Sequence, residues 1–203
     1  MNPNKIFAIL ITAAMLLFVQ SAHAQQYPHP VPDTGQTQSY TDTFGEDSDY
    51  TTTTPSPSYT KLDAGGNTLS DSATSWAMVK DNYTGLIWEN KTDDGSIHDK
   101  DNTYTWQNAQ DVFIANLNAN AFGGYTDWRL PTIKELGSIV NYGRYNPAID
   151  VSYFSDTMSS YYWSATTGAG DTAGAWLIHF DDGLDPFNGK SSSYYVRAVR
   201  AGQ

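Results

Sequence analysis

Not one cysteine occurs in the 203 residues of this chain, although its first residues read as an export signal. Exported proteins commonly staple small folds with disulfides. Here that route is closed, as are thiolate catalysis and cysteine-ligated metal sites. The fold must rest on its core alone, and the sequence provides one in tryptophan: Trp76, Trp88, Trp106, Trp128, Trp163 and Trp176 all lie after residue 70. The export reading rests on Lys5, an apolar run over residues 6–19, and then Ser21-Ala22-His23-Ala24. A basic start, a short apolar stretch and small residues before the cut mark a cleavable signal peptide, residues 1–24, too short to span a bilayer. No cysteine follows the cut, which excludes a lipid anchor there. No later stretch is long enough for a membrane span.

Cleavage leaves an acidic chain. Lys5 is the only charged residue removed, so the formal net charge moves from −11 to −12. That sign repels polyphosphate, anionic lipid and sulfated polysaccharide, so nucleic acid is not an expected partner.

The mature sequence divides in two. Residues 25–70 are rich in Thr, Ser, Pro, Gln and Asp, including Thr51-Thr52-Thr53-Thr54-Pro55-Ser56-Pro57-Ser58. Such a segment buries too little apolar surface to offset its conformational entropy, which predicts a disordered acidic linker. Residues 71–203 have the length of one domain with one core. Within them, Trp76-Ala77-Met78-Val79, the turn Asp81-Asn82-Tyr83-Thr84-Gly85 and Leu86-Ile87-Trp88 form a hairpin signature. Thr105 opens a helix whose apolar face is Trp106, Ala109, Phe113 and Leu117. Thr132-Ile133-Lys134-Glu135 is a capping box opening a second helix, with Ile133, Leu136, Ile139 and Val140 inward. Strands are expected at residues 161–165, 175–180 and 194–200. A hairpin, two helices and then antiparallel strands make an α+β domain.

Several stretches together resemble one family. They are residues 81–88, the block Gly124-Tyr125-Thr126-Asp127-Trp128-Arg129-Leu130-Pro131-Thr132, residues 142–150, Tyr162-Trp163-Ser164, Ala175-Trp176, and the closing Tyr195-Val196-Arg197-Ala198-Val199-Arg200. In this order they look like the Lcl C-terminal domain family, a domain of unknown function named from a bacterial collagen-like adhesin. The central block is also similar to formylglycine-generating enzymes and to variable receptor-binding proteins of diversity-generating systems. The resemblance implies a C-type-lectin-like fold, with both chain termini in one sheet and a ligand surface on loops of the last third. The family commonly carries one cysteine in the first helix and another in the closing strand. Here both are missing, with Ala198 at the second place. The loss also removes the copper-binding cysteines that formylglycine generation needs.

Chemistry-bearing residues are few. Only His98 and His179 lie in the domain, too few nitrogen ligands for zinc. No cofactor is expected; calcium is the one metal with candidate ligands, either Asp93, Asp94, Asp99 and Asp101 or Asp181, Asp182 and Asp185. Arg129 is read as structural, beside a helix start with aromatics to stack on. Aromatic excess is the remaining signal, since amphipathic rings give contact area at low entropy cost. Trp163 and Trp176 are assigned to the core, and loops 166–174 and 181–193 to the surface. The candidate ligand-binding residues are Tyr161, Tyr162, Asp171, Asp181, Asp182, Asp185, Asn188 and Lys190. The expected function is a secreted or surface-displayed, non-catalytic module that binds a glycan or a protein. The alternative is a self-assembling homo-oligomeric subunit.

Overall fold

The computed structural model describes residues 33–41, 45–49 and 56–202. The expected signal peptide lies outside the described residues, as does part of the expected linker.

The domain is α+β, built on three small antiparallel sheets. The main sheet has the order β1-β2-β3-β9, from Tyr59–Leu62, Met78–Asp81, Ile87–Glu89 and Val199–Arg200. The hairpin forms where the sequence predicts it, with Met78 opposite Glu89 and Lys80 opposite Ile87. Asp81 closes its turn by accepting from the Tyr83 N–H at 2.8 Å and the Thr84 hydroxyl at 2.6 Å. The first and last strands share this sheet without being neighbours. A second sheet pairs β4, Tyr104–Thr105, with β8, Ser193–Tyr194. The third has the order β5-β6-β7, from Tyr161–Thr167, Gly174–His179 and Phe187–Gly189.

One expectation is corrected at the linker boundary. Residues 59–62, assigned to the spacer, form β1 and pair with β2 from Tyr59–Asp81 to Leu62–Met78. Tyr59, Lys61 and Leu62 are buried. The Lys61 ammonium donates to the Asp71 and Ala73 carbonyls at 3.0 and 2.9 Å and sits 3.8 Å above the Trp76 ring. Alternation of Tyr59, Thr60, Lys61 and Leu62 is the strand signal, masked by the Thr/Pro tract before it. A chain beginning at Ser56 is therefore expected to melt cooperatively. One beginning at Asp71 loses the burial of Tyr59 and Leu62 and is expected to be less stable by at least about 3 kcal/mol, read by thermal circular dichroism.

Adjacent residues in these strands feed two core clusters. Met78, Ile87, Trp163 and Leu177 enter one, with Phe113, Leu117 and Trp128. Val79, Trp88, Tyr162 and Ile178 enter the other, with Leu136, Ile139, Phe154 and Phe180. Successive strand side chains point to opposite faces, so sheets covered on both sides need runs of apolar residues. That is why Tyr162-Trp163 and Leu177-Ile178 are consecutive.

Helix α1 covers the first cluster. Thr105 caps it, and α-helical Trp106–Asn108 passes through a π-helical turn, Ala109–Ile114, into α-helical Ala115–Ala119. The wider turn brings Ile114 inward as well, beside the expected Ala109, Phe113 and Leu117. Helix α2, Ile133–Gly137, has the predicted capping box, and Leu136 is its fully buried residue. Ile139 and Val140 reach the core from just beyond its end. The closing segment is divided: β8 and β9 belong to different sheets, with buried Val196, Arg197 and Ala198 between them. Ala198 and Ala109 are both fully buried in the first cluster, so this cysteine-free chain packs its closing segment and α1 in one apolar core.

Candidate functional site

The third sheet carries most of the candidate ligand residues, and it distributes them instead of gathering them. Tyr161 stands opposite His179, and their rings stack at 4.2 Å. Tyr194 packs edge-on to Tyr161 at 5.4 Å, and its hydroxyl accepts from the Asn188 amide at 2.6 Å. Asn188 stands opposite Ala175. Alternation along β6 puts Ala175, Leu177 and His179 on one face, so Tyr161, His179, Tyr194 and Asn188 form one aromatic and amide cluster at its rim.

Trp176 lies on the other face. It is 37% exposed, which corrects its assignment to the core. It stands opposite Phe187, 38% exposed, in an edge-on pair at 5.6 Å. The Phe187 ring lies directly against Gly168 and Gly174, where a Cβ at either would collide with it. Two glycines thus seat an aromatic pair that remains open to solvent. Strand β7 itself lies inside the expected surface loop 181–193.

Tyr162 is a second correction. It is fully buried, its hydroxyl accepts from the Met158 N–H at 2.9 Å, and burial pushes its phenol up to about 12. It packs edge-on to Phe180 and contributes nothing to a surface. Lys190 is half-buried and committed: Nζ donates to the Thr167 hydroxyl at 2.8 Å and lies 4.0 Å over the Trp106 ring. Asp171 is exposed and closes its own loop through the Ala173 N–H at 3.0 Å. Asp182 meets His179 Nδ1 at 3.0 Å and accepts from the Leu184 N–H at 3.2 Å. Asp185 is exposed, and Asp181 is half-buried with its carbonyl accepting from the Asn146 N–H at 2.9 Å. That last contact joins the 181–184 turn to the 142–151 loop. There Tyr142, Tyr145 and Val151 are exposed beside Leu184, a contact surface the sequence reading did not include.

Of the two candidate calcium clusters, only the first brings carboxylates together. Among the described residues, three carboxylates converge within 4.8 Å only at Asp93, Asp99 and Asp101. Lys100 Nζ sits between Asp93 and Asp101 at 3.3 and 3.1 Å. Asp99 accepts from the backbone N–H groups of Asp94, Gly95 and Asp101 at 2.9, 2.6 and 2.8 Å. Donors from Ser96 and Thr92 hold the Asp94 carboxyl down at about 2. The loop thus satisfies its acids internally. Asp181, Asp182 and Asp185 do not converge. Arg129 is structural as expected, through a different partner: its guanidinium grips Glu135 in a two-pronged pair at 2.8 and 2.7 Å and so braces the capping box. The stacked arginine is Arg200, 3.6 Å over Tyr125 and paired with Asp127.

The largest feature missed from sequence is a buried ionic network. Glu89, Lys91 and Arg197 are all essentially inaccessible. Glu89 Oε1 meets Lys91 Nζ at 3.2 Å and His98 Nδ1 at 2.8 Å, while Oε2 accepts from the Ala198 N–H at 3.1 Å. Arg197 donates to the Glu89 carbonyl and the Thr157 hydroxyl, both at 2.7 Å. Burial pushes the Glu89 carboxyl up, but Lys91, His98 and the Ala198 amide outweigh it and hold the group below the usual carboxylate range. One signal was available: Glu89-Asn90-Lys91 and Arg197 each follow directly on apolar strand residues. Beside this network a cavity of about 220 Å³ opens between the loop after β3 and the turn at residues 155–156.

The profile of the Lcl C-terminal domain matches residues 77–200. The chain belongs to the Lcl C-terminal domain family. The matched span of this Lcl C-terminal domain opens just before β2 and closes on β9, so it leaves out the edge strand β1. No curated protein matches the chain. Among the described residues no helix is long and apolar enough to cross a membrane.

Proposed function

We propose that this Lcl C-terminal domain is an exported, non-catalytic binding module that recognises a glycan or protein through the exposed aromatic surface of its C-terminal sheet. The observation that carries this reading is the pair Trp176–Phe187, left solvent-facing although Trp176 stands between buried Ala175 and Leu177. Large apolar groups held open on a rigid frame are characteristic of contact surfaces. Tyr161, Leu184 and the adjoining Tyr142 and Tyr145 extend the same chemistry around the sheet end. The polar residues nearby serve the turns and the frame, which fits recognition better than bond cleavage. Export is proposed on the basic, apolar and small-residue pattern of residues 1–24. The test is a glycan array, with a matched array of extracellular proteins, probed with residues 25–203. Reproducible capture of a defined ligand class is expected. Turnover of any arrayed ligand, or a chain that only associates with itself in sedimentation, contradicts the reading.

A further inference from the structure

We infer that the cavity between the loop after β3 and the 155–156 turn is a second ligand site, separate from the C-terminal sheet, and that it takes a small neutral polyhydroxylated ligand such as one sugar ring. The cavity is lined by Thr74, Ser75 and Ser155, by Thr92, whose hydroxyl donates to Asp94 at 2.8 Å, and by Asp93 and Asp156. Trp76 supplies an apolar wall, and Asn90 fixes the frame by donating to the Trp76 carbonyl at 3.3 Å and to the Ser155 hydroxyl at 3.0 Å. Trp76 is itself fixed through its Nε1, which donates to the Tyr153 carbonyl at 2.7 Å. The site is therefore held before any ligand arrives, which lowers the ordering cost of binding.

The ligand class follows from the groups left over. Thr74, Ser75 and Asp156 make no hydrogen bond to another described side chain or backbone group, so they remain available to a ligand. Hydroxyls both donate and accept, and carboxylates accept strongly. A ring bearing several adjacent hydroxyls matches that mixture. Charge argues for neutrality, because the charges at the cavity are matched within the protein: Lys100 meets Asp93 at 3.3 Å, Glu89 meets the lining Lys91 at 3.2 Å, and Asp156 acts on Arg197, so an ion finds no unmatched partner. Size argues for a single ring, since about 220 Å³ falls below the roughly 300–1,000 Å³ of pockets for larger ligands. Asp156 holds a left-handed backbone, φ 56°, that sets its carboxylate at the rim; Asp and Asn tolerate this conformation best among side-chain-bearing residues.

Saturation-transfer NMR on residues 25–203 tests this, with methyl β-D-glucopyranoside and methyl β-D-galactopyranoside as neutral probes and D-glucuronate as the anion. Transfer to at least one neutral glycoside and none to glucuronate is expected. Ser75→Trp, which fills the cavity from its exposed rim, should abolish that transfer. Asp156→Asn keeps the backbone conformation and should weaken binding about tenfold, the effect of one charge-assisted hydrogen bond. Absence of transfer to both glycosides overturns the site, as does equal transfer to glucuronate. Transfer that survives both substitutions also overturns it, and would place the sugar on the C-terminal sheet instead, leaving the proposed function standing.

Discussion

Trp163→Ala is expected to destabilise the domain by about 3–5 kcal/mol and lower its melting temperature by roughly 10 °C. Trp163 is fully buried at the meeting point of β5, β8 and α1. Its Nε1 donates to the Tyr104 carbonyl at 2.9 Å, and Tyr194 packs edge-on at 5.1 Å. Truncation leaves a cavity, an unpartnered carbonyl and an unsupported Tyr194, and the chain has no disulfide to limit the damage. Chemical denaturation monitored by far-ultraviolet circular dichroism checks the figure. Loss of less than about 1 kcal/mol would mean that the core is not tryptophan-dependent.

Glu89→Ala is expected to be as severe, about 3–5 kcal/mol, for an electrostatic reason. Removing one partner of a buried ion pair strands the other: Lys91 would lie deep in the fold without its carboxylate, and buried Arg197 would keep its bond to the residue-89 carbonyl but lose the nearby opposite charge. The same residue gives a pH signature. Its folded pKa is depressed, so its contribution is fully present above the ordinary glutamate value of about 4.3 and is lost as pH falls through the lower folded value. Stability should therefore drop progressively from about pH 4.5 downward. Glu89→Gln, less stable at neutral pH, should show a shallower drop. Equal acid slopes in the two proteins would remove Glu89 from the account.

Local chemistry made much of this fold legible. The Asp81 turn, the Thr132–Glu135 capping box and the Thr105 helix start are each set by residues close in sequence, and each forms where expected. What the sequence hid depends on distant partners. Tyr59–Leu62 becomes a strand because β2 offers an edge, whereas its own neighbours are Thr, Ser and Pro. Trp176 alternates with buried Ala175 and Leu177 and faces Phe187, a pairing fixed only by the β6–β7 register. Glu89 and Lys91 follow one strand and Arg197 lies in the closing segment more than 100 residues later, so their pairing depends on the fold that brings the two segments together. The candidate site was legible by region and not by residue. Tyr161, Asp182, Asp185 and Asn188 are at the surface, while Tyr162 and Lys190 serve the frame.

The most direct test of recognition by the C-terminal sheet is the double substitution Trp176→Ser, Phe187→Ser, assayed for both ligand capture and melting temperature. Both side chains are more than one-third exposed, so stability should change by less than about 2 kcal/mol. Capture should fall by at least about tenfold, as expected for a central aromatic pair. Undiminished capture by a folded double variant would contradict the assignment of this surface.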